Sequence, residues 1–153
     1  MHKRIRLGMV GGGQGAFIGA VHRIAARLDD RYELVAGALS SNPERAATSA
    51  EEIGINIDRS YADFRKMAAA ESKRVDGIEA VAIVTPNHLH AEVSIAFAEV
   101  GIDVICDKPM TFSLEEALEV ANVVKKSGVT FTLTHNYTGY PMIREARSLV
   151  QNG

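Results

Sequence analysis

Two short stretches of this 153-residue chain combine residue type and spacing in a way that suggests chemistry: Gly11-x-Gly13-x-x-Ala16 and Lys108-Pro109. In the first, Gly11, Gly13 and Gly15 let the backbone turn sharply and expose its N–H groups. A helix following the turn would aim its positive dipole end and unpaired donors at whatever lies above it. The natural occupant of such a cradle is a pyrophosphate. The stretch Gly11, Gly13, Gln14, Gly15, Ala16 and Phe17 follows an apolar run and opens another, as the dinucleotide fingerprint G-x-G-x-x-G/A requires. In the second, Pro109 disfavours helical backbone at Lys108, which should therefore be held extended at a strand end. An ammonium fixed there could bind a ribose and a reacting hydroxyl together, helping to hold or relay a proton while hydride leaves carbon. A plain surface lysine before a turn is the competing reading.

Further polar residues fall at the other expected strand ends. After the second strand the run is Ala38-Leu39-Ser40-Ser41-Asn42, without the carboxylate that binds the ribose of NAD. Hydroxyls at Ser40 and Ser41 accept a ribose without repelling a 2′-phosphate, and Arg45 is near enough in sequence to pair with one. The cofactor expected is NAD or NADP, with NADP or dual use slightly favoured. Ser41 and Asn42 could equally serve only to cap the next helix. Thr85, Pro86, Asn87 and His90 form a strand-to-helix turn with a cofactor role or, for Asn87, a capping role. His88 and His90 lack acidic or cysteine partners, which argues against a metal centre. Asp107 and Asn136 complete the candidate cofactor contacts. Tyr137 and Tyr140 suit either a buried hydroxyl near the cofactor or packing against the last helix.

The elements that must position these residues alternate along the chain. Strands are expected at Ile5–Val10, Tyr32–Leu39, Ala80–Thr85, Asp103–Cys106 and Val129–Thr134, with a short one near Tyr61. Helices are expected at Ala16–Leu28, from Pro43 to Gly54, from Asp63 to about Glu71, from Pro86 to about Val100, from Ser113 to Gly128 and from Pro141 onward. Ile18, Val21, Ile24, Ala25 and Leu28 give the first helix one apolar face. Glu71 to Glu79 reads as a solvated connection. Such alternation implies a doubly wound parallel sheet in three α/β/α layers, Rossmann-type, occupying residues 1–153 as one domain. In that architecture ligands bind beyond the carboxyl ends of the strands, the rim that carries nearly every unusual polar residue.

Composition sets the outer bounds. The chain is 46% apolar and 24% charged, so it should fold, and a net charge of −2 argues against nucleic acid or an anionic membrane as partner. The basic opening, His2-Lys3-Arg4 with Arg6, reads as the solvated flank of the first strand. Cys106 is the single cysteine and sits in an apolar run, a buried thiol rather than a nucleophile. Neither a membrane span nor a signal-peptide core is apparent, so a cytoplasmic location is expected.

The glycine turn VGGGQGAFIG, the turn TPNHLH and the tripeptide DKP, in that order, resemble the glucose–fructose oxidoreductase / inositol dehydrogenase / MocA (Gfo/Idh/MocA) oxidoreductases. The resemblance spans essentially the whole chain as that family's N-terminal half. It implies that Lys108 contacts nicotinamide ribose and substrate hydroxyl, that Asp107 replaces a usual glutamate, and that Asn87 and His90 lie near the nicotinamide. It also implies hydride transfer to or from a sugar- or polyol-like substrate. A second α/β domain with an open sheet would be the oligomer interface and supply further catalytic groups. That domain is absent from these 153 residues, so the isolated chain is expected to bind cofactor but turn over poorly. The alternative is a non-catalytic dinucleotide-sensing module.

Overall fold

The computed structural model describes residues 3–153, so the reading of His2 as part of a basic flank lies outside the described residues. Its strands are β1 (Ile5–Gly11), β2 (Tyr32–Ala38), β3 (Ala80–Val84), β4 (Asp103–Asp107) and β5 (Phe131–Thr134). They form one sheet in the order β2-β1-β3-β4-β5, every neighbouring pair parallel. The helices are α1 (Phe17–Leu28), α2 (Pro43–Ile53), α3 (Phe64–Glu71), α4 (His90–Ala98), α5 (Leu114–Ser127) and α6 (Pro141–Asn152). This is the expected doubly wound α/β/α domain. No helix among the described residues is long and apolar enough to cross a membrane.

Local chemistry sets most boundaries. Asn42 Oδ1 accepts from Arg45 N at 3.0 Å and Pro43 opens α2, while Asp63 Oδ1 caps α3 through Arg65 N at 2.7 Å. Ser113 Oγ accepts from Glu116 N at 3.2 Å; the Glu116 carboxylate returns the bond one residue early, to Phe112 N at 2.9 Å. Every residue of β3 is buried, as a central parallel strand covered on both faces must be. One core cluster packs Val81, Ile83, Phe97 and Val104 together; the other packs Leu7, Met9, Ala50 and Ala82. Cys106 is fully buried, and burial pushes its thiol up to about 11.

Several expectations are corrected. The strand near Tyr61 is reduced to one parallel bridge, Ser60 to Gly37, with Tyr61 N donating to Gly37 O at 2.8 Å. The 3₁₀ turn Ile57–Arg59 before it and the Asp63 cap after it leave no length for a strand. The connection after α3 is anchored inside the protein: Glu71 is 1% exposed and takes two bonds from Arg59, one from Tyr61 Oη at 2.9 Å and one from Ile78 N at 3.2 Å. Past β3 the chain makes a 3₁₀ turn, Asn87–Leu89, before α4 begins at His90 and ends at Ala98. The apolar stripe of α1 is only partly covered, with Val21 41%, Ile24 55% and Leu28 77% exposed. That helix borders a groove lined on the sheet side by Ala82, Ile105 and Thr134, and α6 buries none of its residues. Tyr137 and Tyr140 are exposed and meet edge to face, their centroids 5.4 Å apart, so neither offers a buried hydroxyl.

Candidate functional site

From β1 the chain crosses toward one sheet edge and from β3 toward the other, so their carboxyl ends define the crevice where such sheets bind ligands. The glycine turn fills it. Gly11, Gly12 and Gly15 have φ of +81°, +75° and +76°. A Cβ on Gly11 would stand 2.8 Å from Val84 O, and one on Gly13 2.7 Å from Leu39 O. A Cβ on Gly19 would stand 2.4 Å from Gly12 Cα, so Gly19 provides the close helix-to-turn approach. Ala16 instead occupies the extended residue before α1.

Among the described residues no side chain caps α1, and its first turn carries no acid. Its leading N–H groups and positive end are thus left for a ligand. The turn is fastened from behind. Gln14 N donates to the buried Ser49 Oγ at 3.1 Å, Gln14 Nε2 to Glu52 at 2.5 Å, and Arg23 Nη1 to Gly12 O at 2.8 Å. A cavity of about 320 Å³ lies against Gly13, Gln14, Gly15, Phe17, Arg23 and Ser49.

Beyond β2, Ser40 Oγ accepts from Asn42 N at 3.1 Å, while Ser41 and Arg45 are exposed. Asn42, rather than Ser41, caps α2. The Arg45 guanidinium reaches Gln14 O at 3.2 Å, which joins this part of the rim to the glycine turn.

The ends of β3, β4 and β5 make the other half. Pro86 and Asn87 are exposed, and among the described residues no side chain caps the turn they begin. Thr85 Oγ1 is buried without a partner among the described residues. His90 is 1% exposed, with Nδ1 2.7 Å from Pro109 O and Nε2 2.9 Å from Thr85 O. Asp107 accepts from Thr134 Oγ1 at 2.8 Å and lies 3.7 Å from His22 Nε2. Burial lowers the His22 pKa below its ordinary value, against the opposing pull of Asp107. Lys108 is exposed at the mouth of a groove of about 560 Å³, which it lines together with His22, Asp107, Thr134, Asn136 and Tyr137. Among the described residues no group of three or more His, Cys, Asp or Glu could hold a metal ion.

The candidate residues therefore divide into a glycine-turn half, which includes Ser40, Ser41 and Arg45, and a lysine half from Thr85 to Asn136. His90 stands apart because both ring nitrogens face protein carbonyls, and Asp107 because its Oδ1 is held by Thr134 and faces His22. Sequence reasoning missed Arg23, Ser49 and Glu52, which hold the turn, and His22 beside Asp107. The available signal for His22 was a polar residue four positions from Ile18 and from Ala26, on the inward side of an apolar helix. A dinucleotide fits this arrangement on three counts: an uncapped helix end, a turn in which Gly11, Gly12 and Gly13 leave no room for a Cβ, and an unpartnered Thr85 hydroxyl on the same rim.

Comparison with known proteins agrees with the geometry. The family described as an oxidoreductase family with an NAD-binding Rossmann fold (GFO_IDH_MocA) matches residues 5–135. Levoglucosan dehydrogenase of Pseudarthrobacter phenanthrenivorans is 32% identical over 158 residues, covering 99% of this chain and 38% of that protein. An oxidoreductase from Sinorhizobium meliloti superposes with a TM-score of 0.94 at 60% identity, over 99% of this chain and 42% of that one. An inositol dehydrogenase homolog from Azotobacter vinelandii, complexed with NADH and myo-inositol, superposes with a TM-score of 0.96 at 37% identity, over 100% of this chain and 40% of that one. The chain thus spans roughly two-fifths of the length of these relatives. It belongs to the Gfo/Idh/MocA oxidoreductase family, through that family's NAD-binding Rossmann fold.

Proposed function

We propose that these residues form the cofactor-binding half of an NAD(P)-dependent oxidoreductase acting on a hydroxyl or carbonyl carbon of a sugar- or polyol-like substrate. The observation that carries the reading is one rim holding both the uncapped glycine turn and an exposed lysine, with a groove beside the lysine. When bound, the nicotinamide dinucleotide would supply the hydride acceptor or donor. The glycine turn and the α1 N-terminus bind the pyrophosphate. Thr85, Pro86, Asn87 and Asn136 contribute to the nicotinamide side of the rim. Lys108 is the residue that touches substrate: its ammonium orients the reacting hydroxyl and holds or moves the proton at that oxygen. Asp107, bonded to Thr134, keeps the strand end preceding the lysine in place.

Ser40, Ser41 and Arg45 present no carboxylate, which supports acceptance of either NAD or NADP. Levoglucosan and myo-inositol, named with two of the relatives, are both cyclic and polyhydroxylated, which supports that substrate class. In this reading a second α/β domain shapes the substrate pocket and provides the oligomer contacts.

Fluorescence titration with NADH and with NADPH tests the binding half of the proposal, and failure of both to bind overturns it. Exclusion of NADPH beside tight NADH binding overturns the reading of Ser40 and Arg45. The chemistry is tested with a polyol and sugar panel in a polypeptide that includes the second domain. Lys108→Ala should keep cofactor binding and lose turnover. Cofactor binding with every substrate silent would favour the sensing module. Steady polyol turnover by the 153 residues alone would refute the need for a second domain.

A further inference from the structure

We propose that His90 is a positioning residue that sets the direction in which Lys108 leaves the sheet. The proposal rests on the assignment of Lys108 as the substrate-touching residue. The imidazole sits at the first residue of α4, almost wholly buried, between two turns from different strands. One ring nitrogen reaches the carbonyl of Thr85, just past β3, and the other that of Pro109, just past Lys108. It therefore ties the β3 rim to the backbone that carries the lysine.

The opposite side of that backbone is tied as well. Asp107 immediately precedes Lys108, and its carboxylate accepts from Thr134 Oγ1 on β5. Lys108 is thus bracketed: its predecessor is held by a side chain of the neighbouring strand, its successor by a side chain at the start of α4. The bracket matters because the lysine stem is a flexible four-carbon chain with many rotamers. Packing around the stem does not restrain it, since Lys108 is exposed. The placement of the ammonium accordingly depends on how well its backbone is fixed. A ring so enclosed, with both nitrogens on carbonyl oxygens, serves to hold protein segments together.

The Pro109 contact has a defined donor requirement. A carbonyl only accepts and a neutral imidazole has one N–H to give, so the ring donates to either Pro109 O or Thr85 O, and the proposal places the hydrogen on Nδ1, facing Pro109. This gives a test on the unaltered chain: long-range ¹H–¹⁵N correlation of the His90 ring should show a protonated Nδ1. A bare Nδ1 overturns the proposal without any substitution.

Two variants separate the arms. The Asn side-chain nitrogen lies where Nδ1 lies, and the Gln nitrogen where Nε2 lies. His90→Asn therefore keeps a donor for Pro109, and His90→Gln keeps one for Thr85. The readout is the ¹³C signal of reductively methylated Lys108, assigned by its loss in Lys108→Arg, recorded with and without NADH. In the wild type, NADH should shift this signal. His90→Asn should retain most of the shift, whereas His90→Gln should lose at least half of it while binding NADH within about threefold of wild type. A wild-type lysine signal indifferent to bound NADH refutes the assignment of Lys108 itself. A shift preserved in His90→Gln refutes only the role of His90. Equal tenfold losses of NADH affinity in both variants would instead make His90 a direct cofactor contact, and would overturn the positioning role.

Discussion

Gly19→Ala is the sharpest probe of how the phosphate cradle is built. The added methyl carbon would stand 2.4 Å from Gly12 Cα, 2.7 Å from Gly12 O and 3.0 Å from Gly12 C. Ordinary carbon contacts begin near about 3.5 Å, so the overlap is about 1 Å. All three atoms are backbone, and no rotamer change can relieve them. Helix α1 must move away from the turn. Overpacking of this kind costs about 1–3 kcal/mol, and the backbone obstacle argues for the upper half of that range, about 2–3 kcal/mol. With a urea slope near about 2 kcal/mol per molar, the unfolding midpoint should fall by about 1 M. The same movement takes the α1 N–H groups away from the pyrophosphate. Loss of about 1.4 kcal/mol there weakens NADH binding about tenfold.

Gly54→Ala is the matched control. Gly54 has φ of +79°, and a methyl added there would meet no atom within 4 Å. The substitution should therefore cost about 1 kcal/mol through backbone strain alone and leave NADH affinity unchanged. Urea unfolding and NADH fluorescence titration of both variants read the two effects separately. A Gly19→Ala protein with the wild-type midpoint and wild-type NADH affinity would refute the reasoning.

Three further outcomes are expected. Glu71→Ala should cost about 3–5 kcal/mol in urea unfolding because it removes the buried carboxylate on the Arg59 guanidinium and leaves it only the exposed Asp76, while Arg59→Met combined with Glu71→Leu should cost much less. Burial lowers the His22 pKa in the folded state, so between that lowered value and its ordinary value near about 6.5 the unfolded chain binds the proton more readily. Stability is therefore fully present above this window and declines as pH falls through it; His22→Asn should flatten this part of the acid slope, and an unchanged slope would contradict the account. Cys106, with its thiol pushed up to about 11, should react with iodoacetamide only as the protein unfolds, and alkylation of the native protein at a free-thiol rate would show the burial to be wrong.

The fold was largely legible because its punctuation is chemical and local. Asn42-Pro43, Asp63, Ser113 and the glycines at 54 and 128 each mark a helix end by a mechanism that needs no tertiary information. What escaped depends on long-range partners. Glu71 sits in a charged run that looks solvated until Arg59 and Tyr61 are folded against it. Ser49 reads as a routine helical serine, and only the packing of α2 beneath the glycine turn brings its hydroxyl to Gln14. The α1 stripe was correctly apolar, but periodicity reports that a face is hydrophobic without reporting what covers it. At the site, Gly11, Gly13 and Lys108 announce themselves through backbone requirements. His90 stands out in the sequence only as a candidate cofactor contact, and its two carbonyl partners leave no trace in side-chain identity.

The fastening of the glycine turn has a consequence for how the protein can diversify. Its anchors, Arg23, Arg45, Ser49 and Glu52, all lie within roughly the first third of the chain. The lysine turn draws its supports from Thr85, His90 and Thr134, all in the remainder. The two blocks meet where β1 pairs with β3 and where His22 of α1 lies beside Asp107. Recombination between residues 54 and 80 would exchange the anchors of the glycine turn as one block, and the contact it would have to preserve is that of His22 with Asp107. Under the proposed function, the residues expected to choose the cofactor and the lysine expected to touch substrate lie in separately exchangeable stretches of the chain.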